Sequence, residues 1–246
     1  MNDIPGTDLP PYRTAGLSTA LRRLRGAGSW LLLLCLLGWP VATECAAEQP
    51  EEQGQTWDFD SLPPGTIPRA LHIGTFYDGR PAGEWKIIIT DRAKSPGQVL
   101  AQVQGKGSDQ TYKLLLFEGT DSQNVDVEVA YLAVSGKAND GGGLVWRAAD
   151  DKNYYLLRAG AIDHKVRLYR MVKGIPQPLK GIDRNIPAGG WHTIRVVQKG
   201  CEIQAFFDGE SVFRLCEAGL TTGRIGLWTN ADAVTYFDDL RLRRLK

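Results

Sequence analysis

Short runs of alternating hydrophobic and polar residues recur along the chain from Trp57 onward, separated by Gly, Asn and Asp. In the run 125–134 the valines at odd positions share one face, while Asp126 and Glu128 share the other. No stretch shows the 3.6-residue period of an amphipathic helix. Short alternating runs at a spacing of about 8 to 12 residues are typical of a sandwich or barrel. The pattern therefore predicts an all-β domain in which one face of each sheet packs inward.

Thirteen strands are predicted from these runs. They are 57–60, 85–90, 99–103, 112–117, 125–134, 144–148, 154–159, 165–172, 192–199, 202–207, 211–215, 224–229 and 234–242. Neither an internal repeat nor a Pro- or Ser-rich linker interrupts the series, so we interpret 56–246 as one β-sandwich domain.

The first 47 residues have the pattern of a secretory signal peptide. Arg22, Arg23 and Arg25 precede an apolar stretch at 30–39, and small residues follow as far as Ala47. The stretch is shorter than the ~20 residues that a membrane-spanning helix needs. We expect a signal peptide at 1–47 and a polar, disordered lead at 48–55. The protein would then be exported, to the periplasm or the extracellular space; an uncleaved N-terminal anchor is the alternative.

Charge balance narrows the class of partner. The whole chain has 29 Lys and Arg and 28 Asp and Glu, of which four basic and three acidic residues lie in 1–47. The mature chain is left with 25 of each sign and a formal charge of zero. Nucleic acids and anionic membrane surfaces attract clustered positive charge. We therefore expect no nucleic acid and no membrane as partner of the mature form, whereas neutral partners such as glycans remain open.

Two cysteines remain after 1–47, Cys201 and Cys216, and they flank a predicted hairpin. Asp208-Gly209 between alternating apolar residues is a strong signal for its turn. With that turn, Cys201 lies directly opposite Cys216, within the distance that a disulfide bridges. An oxidising compartment favours the bond. We predict a Cys201–Cys216 disulfide, with two buried free thiols as the alternative.

The C-terminal half carries a family resemblance in five segments: GGGLVWRAADDKNYYLLRAG (141–160), VRLYRMVKG (166–174), GGWHTIRV (189–196), FFDGESVF (206–213) and GRIGLWTNADAVTYFDDLRL (223–242). Over 57–242 the chain resembles the 3-keto-disaccharide hydrolase domain family, formerly a domain of unknown function, in the concanavalin A-like lectin/glucanase superfamily. The resemblance implies a laminin G-like jelly-roll sandwich with a concave face that can hold saccharide. Enzyme-like members have Tyr-Glu-x-Gln where this chain has Tyr154-Tyr155-Leu156-Leu157.

Asp126 and Glu128 are the candidate catalytic acids. They lie on one face of a predicted strand, close enough for their carboxyl groups to approach the ~5.5 Å separation of a retaining glycosidase. Related glucanases carry E-x-D-x-E on one strand face, and here Asn124 replaces the first Glu. The alternative is a pair of solvated or structural carboxylates.

Further candidates follow from the aromatic and charged strand faces. Aromatic rings stack on the apolar faces of sugars and arginines hydrogen-bond hydroxyl groups, while packing and surface ion pairs are the alternative roles. The candidate ligand-binding residues are Trp146, Arg147, Tyr155, Arg158, Tyr169 and Trp228. No cofactor is required, but carboxylates of the first and last strands could share a structural Ca²⁺. These carboxylates are Asp58, Asp60, Asp238 and Asp239.

Three functions fit these observations. The first is an exported, non-catalytic glycan-binding or interaction module of the cell envelope, with a saccharide as partner. The second is a glycoside-cleaving enzyme of the 3-keto-disaccharide hydrolase kind, using Asp126, Glu128 and Arg147. The third is a structural envelope protein without a small ligand.

Overall fold

The computed structural model describes residues 54–74, 82–95, 97–108 and 110–246. These residues form fifteen β-strands and no helix. The signal peptide predicted at 1–47 and most of the predicted lead lie outside the described residues. No helix in the described part of the chain is long and apolar enough to span a membrane.

The strands are numbered in chain order. They are β1 (Gly54–Trp57), β2 (Leu71–Ile73), β3 (Trp85–Thr90), β4 (Gly97–Gln102), β5 (Tyr112–Phe117), β6 (Val125–Ser135), β7 (Gly142–Asp150), β8 (Asn153–Gly160), β9 (Lys165–Val172), β10 (Ile175–Asp183), β11 (Trp191–Lys199), β12 (Glu202–Phe207), β13 (Glu210–Cys216), β14 (Arg224–Asn230) and β15 (Val234–Arg244).

Two antiparallel sheets contain all fifteen strands. Sheet A has the order β13-β12-β11-β6-β15-β4-β3, and β1 pairs with the C-terminal part of β15. Sheet B has the order β10-β9-β8-β7-β14-β5-β2. The prediction of an all-β, two-sheet jelly-roll sandwich is confirmed.

The main core lies between the inner faces of the two sheets. In β6 the side chains of Val125, Val127 and Val129 are fully buried there, as the alternation predicts. Trp146 of β7 stacks on Tyr155 of β8, with ring centroids 5.5 Å apart. Burial of a large apolar side chain stabilises a fold by about 1.5–3 kcal/mol, so this core holds the sheets together.

Sheet B also buries apolar residues on its outer face, the one turned away from sheet A. In β5, Leu115 and Phe117 belong to the main core, whereas Leu114 and Leu116 belong to a second cluster. The second cluster consists of Leu114, Leu116, Val145, Ala148, Tyr154, Leu156, Met171 and Trp228. An antiparallel sheet with a wet outer face has polar residues there. This outer face is therefore unusual for a solvated surface.

Two observed strands were not predicted. β2 has three residues, which is too short to show alternation. β10 contains Pro176 and Pro178, which cannot donate a ladder hydrogen bond, and it is tolerated because it lies at the edge of sheet B. The first strand also differs from the prediction of 57–60: it ends at Trp57, and Phe59 turns the chain with a φ of 63°.

The predicted disulfide is confirmed. Cys201 and Cys216 are bonded, with Cα atoms 4.7 Å apart. The predicted register holds next to the turn, where Phe206 faces Ser211, but a bulge at Val212 then shifts the pairing by one residue. Cys216 consequently faces Glu202 rather than Cys201, and the bond forms because the Cα separation is still within the disulfide range.

Candidate functional site

A pocket of about 220 Å³ opens on the outer face of sheet B, and we call it the aromatic groove. Its aromatic residues are Tyr112, Tyr169 and Trp228, its apolar residues are Leu156, Met171 and Pro176, and its polar residues are Asn139, Arg158 and Asn230. Tyr112 and Trp228 contact each other, with ring centroids 5.7 Å apart and planes tilted by 33°. The groove therefore offers ring surface and polar groups in one pocket.

Strand register places Gly143 between Trp228 and Arg158. Trp228 of β14 faces Gly143 of β7, which in turn faces Arg158 of β8. A Cβ at Gly143 would lie 2.6 Å from Cδ1 of Leu156 and 3.1 Å from Cε3 of Trp228. Glycine is therefore needed at this position, because the side chains of Leu156 and Trp228 pack closely over it.

Two polar atoms of groove residues are buried without a partner. Nε1 of Trp228 and Oδ1 of Asn230 form no hydrogen bond with the described residues, and these residues are 4% and 5% exposed. Nearly all buried polar atoms in folded proteins are hydrogen-bonded, and an unsatisfied one costs about 1–3 kcal/mol. Trp228 and Asn230, which both line the groove, thus each keep one buried polar atom that the described residues do not satisfy.

The opposite end of the groove is charged. NH2 of Arg158 donates to Oδ2 of Asp163 at 2.5 Å, and the Arg158 residue is 8% exposed. Arg167 lies directly opposite Arg158, and its NH1 donates to the hydroxyl of Tyr169 at 3.3 Å. Tyr169 lines both the aromatic groove and a wider depression of about 700 Å³ over β9 and β10. The two cavities therefore adjoin at Tyr169.

A carboxylate holds the loop that brings Asn139 to the groove. Asp232 accepts backbone N–H hydrogen bonds from Lys137 at 2.7 Å, Ala138 at 3.1 Å and Asn139 at 3.1 Å. The hydrogen bond from Lys137, followed by those from Asn139 and Ala138, lowers the pKa of Asp232 below its ordinary value. The loop is thus ordered by the protein itself.

Three of the six predicted ligand-binding residues meet in the aromatic groove: Arg158, Tyr169 and Trp228. The structure does not bring the other three to it. Trp146 and Tyr155 lie in the main core with no exposed surface, where Nε1 of Trp146 donates to Gln198. They cannot contact a ligand from there, because the alternation of β7 and β8 turns them towards sheet A.

Arg147 is 3% exposed and binds the protein's own backbone. Its guanidinium donates to the carbonyl oxygens of Gln123, Gly200 and Leu220, at distances of 2.5–2.8 Å. Burial lowers the pKa of Arg147 somewhat. The side chain joins three loops, and its hydrogen-bonding groups point at backbone rather than at either cavity of sheet B.

Asp126 and Glu128 lie on the outer face of sheet A, on the opposite side of the sandwich from the aromatic groove. With Arg195, Arg241 and Arg243 they line a depression of about 330 Å³. Asp126 binds Arg195 through two contacts of 2.6 and 2.7 Å and binds Arg243 through one of 2.6 Å. Burial alone would raise the pKa of Asp126, but the hydrogen bonds from these arginines outweigh it and lower that pKa.

The four carboxylates considered for Ca²⁺ are bound to donors instead. Asp60 accepts from the backbone of Gln98 at 2.9 Å, and Asp238 accepts from Ser95 and from the backbone of Asp239. Oδ1 of Asp58 accepts from the backbone of Asp60. No group of three or more His, Cys, Asp or Glu in the described residues is placed to hold a metal ion. The carboxylate of Asp239 lies 3.4 Å from Nζ of Lys94. The structural Ca²⁺ site stays a prediction.

Several groove residues escaped the sequence analysis: Tyr112, Asn139, Leu156, Met171, Pro176 and Asn230. One signal was available for Asn230 and Tyr112. Asn230 lies two positions after Trp228 on β14 and therefore shares its face, and it pairs with Tyr112 on β5. Asn139 had no comparable signal, because a loop places it.

Comparisons with known proteins establish the fold. No protein-family model matches the chain, and no curated protein sequence does either. The carbohydrate-binding module CBM66 from Bacillus subtilis is 18% identical with a TM-score of 0.55, over 65% of this chain and 91% of that one. A galectin-like protein of unknown function from Bacillus subtilis is 10% identical with a TM-score of 0.50, over 65% and 87%.

A mutant of the GH43 protein BlXynB from Bacillus licheniformis is 13% identical with a TM-score of 0.54. The match covers 77% of this chain and 39% of that larger protein. At these identities the likeness shows a shared fold, and the finer resemblance to 3-keto-disaccharide hydrolase domains stays a prediction. The chain is a two-sheet jelly-roll sandwich that shares its fold with these proteins.

Proposed function

We propose that this protein is an exported, non-catalytic glycan-binding protein that holds a saccharide in the aromatic groove. One observation carries the proposal: aromatic rings, apolar side chains, an arginine and two asparagines line one pocket on an outer sheet face. Ligand sites combine apolar and aromatic surface with a few fixed polar groups. A sugar presents apolar ring faces and hydroxyl groups, which match both kinds of surface.

The position of the carboxylates favours binding over cleavage. A glycosidase places two carboxyl groups on either side of the bond that it cleaves. None of the described residues that line the aromatic groove is an Asp or Glu. Asp126 and Glu128 lie on the other sheet, and Asp126 is held by two arginines.

Two further observations support the proposal. A carbohydrate-binding module shares the fold over most of its own length, so the scaffold is one on which saccharide sites occur. The disulfide between Cys201 and Cys216 fits an oxidising compartment, as does the signal peptide expected at 1–47.

The test is a glycan-array screen of the purified protein and of Trp228→Ala. Removal of a central aromatic contact costs about 2 kcal/mol, so we expect the affinity for array hits to fall by about 30-fold. The matched control is Phe206→Ala, since Phe206 lies under Arg195 on sheet A. Thermal unfolding of each variant separates lost binding from lost folding, and the more exposed Tyr169→Ala serves if Trp228→Ala is unstable. Full binding by a folded Trp228→Ala protein, or no binding to any glycan, would refute the proposal.

Cleavage is the second candidate, because Asp126 and Glu128 do share one depression on sheet A. Incubation of the array hits with the protein tests it through the release of shorter saccharides. Release that disappears in Glu128→Gln would establish this function. Binding without release, with Glu128→Gln indistinguishable from the wild type, would retire both carboxylates as catalysts.

A further inference from the structure

Two arginines face each other beside the aromatic groove with one carboxylate between them. Arg158 on β8 and Arg167 on β9 are direct cross-strand partners. Like charges in that position destabilise a sheet. Oδ2 of Asp163 lies 2.5 Å from Arg158 and 3.7 Å from Arg167. Among the described residues this is the carboxylate that both contact, so the trio carries one positive charge in excess.

Of the two arginines, Arg167 is the one that can form further hydrogen bonds. Its side chain is 36% exposed, against 9% for Arg158. A guanidinium has five N–H donors, and the contacts of Arg167 are the long ion pair with Asp163 and the 3.3 Å hydrogen bond to Tyr169. Its neighbour on the next strand is Gly181, where a Cβ would approach Cγ of Arg167 to 3.3 Å. The glycine lets the aliphatic part of the Arg167 side chain lie against β10.

The surroundings of Arg167 are cationic. The depression over β9 and β10 is lined by Lys165, Arg167 and Lys180, with Asp183 as the acidic residue of its lining. Lys165 and Asp183 form an ion pair of 3.3 Å, which neutralises one positive charge. Tyr169 belongs to the linings of this depression and of the aromatic groove. A saccharide on the aromatic groove that extends past Tyr169 therefore meets uncompensated positive charge.

We infer that the saccharide carries an anionic substituent, a uronate carboxylate or a sulfate ester, which Arg167 binds. The inference rests on the proposed glycan binding in the aromatic groove and adds the class of glycan. Guanidinium groups bind carboxylate and related oxyanions through paired, charge-assisted hydrogen bonds. Such an anion would neutralise the excess charge of the Arg158, Arg167 and Asp163 trio.

The experiment is an array of matched pairs. Each uronate-bearing glycan is printed beside its carboxyl-reduced form, each sulfated glycan beside its desulfated form, and neutral glycans are included. We expect the hits to be anionic, with neutralised partners bound about tenfold or more weakly, as for the loss of a charge-assisted hydrogen bond. The uronate and sulfate arms identify which anion is bound.

Two variants locate the anion. Arg167→Gln should bind an anionic hit as weakly as its neutralised partner, so that the ratio of the two affinities falls to about one. The matched control Arg214→Gln removes the same charge from sheet A, where Arg214 pairs with Glu202, and should keep the preference. An anionic preference that survives in Arg167→Gln overturns the inference.

The array distinguishes a failure of this inference from a failure of the proposed glycan binding. Hits that are neutral, or bound equally with and without the anion, and that still depend on Trp228 overturn the inference and leave the proposed glycan binding intact. No binding to any glycan overturns both.

Discussion

Replacement of Asp126 by Asn should destabilise the fold, because this carboxylate joins three strands of sheet A. It lies on β6, and its partners Arg195 and Arg243 lie on the neighbouring β11 and β15. The three contacts measure 2.6–2.7 Å, and Asp126 itself is 8% exposed. An Asn side chain loses the charge and turns a donor towards one of the two guanidinium groups.

The size of the effect follows from burial on the two sides of the interaction. Hydrogen bonds to charged groups contribute about 1.5–3 kcal/mol each when buried. The side chains of Arg195 and Arg243 are 36% and 51% exposed, so water screens the interaction and hydrates both groups in the variant. We therefore expect a net loss of about 2–3 kcal/mol in the free energy of unfolding. In a domain of this size that loss lowers Tm by about 5–10 °C.

Thermal and denaturant unfolding of the wild type and of Asp126→Asn at neutral pH measure the loss, and acid pH tests its origin. Because the pKa of Asp126 is lower in the folded than in the unfolded state, its stabilisation is complete above the unfolded value of about 3.9. The stabilisation disappears as the pH falls through the folded value. The difference between the two proteins should thus be constant from pH 7 to about pH 5 and shrink below pH 4.

The control is Glu202→Gln, since Glu202 and its partner Arg214 are both more than 60% exposed. That exposed pair should contribute less than about 1 kcal/mol. An Asp126→Asn protein that melts within about 1 °C of the wild type would refute the structural role. So would a stability difference that does not depend on pH.

Three other substitutions or treatments have defined outcomes. Arg147→Met should lower the free energy of unfolding by about 3–5 kcal/mol in denaturant titrations, because the carbonyl oxygens of Gln123, Gly200 and Leu220 lose a charged donor; a loss below 1 kcal/mol would contradict this. The Cys201–Cys216 disulfide closes a loop with a sequence separation of 15. Its reduction should lower the free energy of unfolding by about 3 kcal/mol, measured by denaturant unfolding with and without dithiothreitol. Burial lowers the pKa of Lys113 to about 8 in the folded protein, whereas an unperturbed lysine has a pKa of about 10.4. Between these two pH values the amine is neutral when folded and charged when unfolded, so unfolding takes up a proton. Relative to Lys113→Met, the wild type should gain about 3 kcal/mol of stability as the pH rises through that window, and parallel pH profiles would contradict the burial of a charged amine.

Local signals in the sequence were sufficient for most of the fold. Alternation and turn residues gave the strands, and Asp208-Gly209 gave the hairpin with its disulfide. The bulge at Val212 was not predictable, because the two-residue period of a strand does not mark where an extra residue enters it. The two prolines hid β10, whose pairing depends on its position at a sheet edge.

The candidate site was predictable in part, and the reason lies in β7 and β8. Both strands are apolar on both faces, with Trp146 and Tyr155 in the main core and Val145 and Leu156 in the second cluster on the outer face. Alternation states which residues share a face, but it assigns a face to the interior only when the other face is polar. Tertiary packing makes that choice here, so aromatic residues on both faces looked equivalent in the sequence. A doubly apolar antiparallel strand is itself the signal of a second buried surface.

Asp232 fixes the backbone of residues 137–139 through three hydrogen bonds, independently of any ligand. When a recognition loop is disordered in the free protein, ordering it on binding costs free energy and lowers the affinity for the ligand. Here the loop that carries Asn139 is already fixed by three hydrogen bonds formed during folding. Ligand binding should therefore require little rearrangement of this loop, and the entropic cost of ordering it should be small.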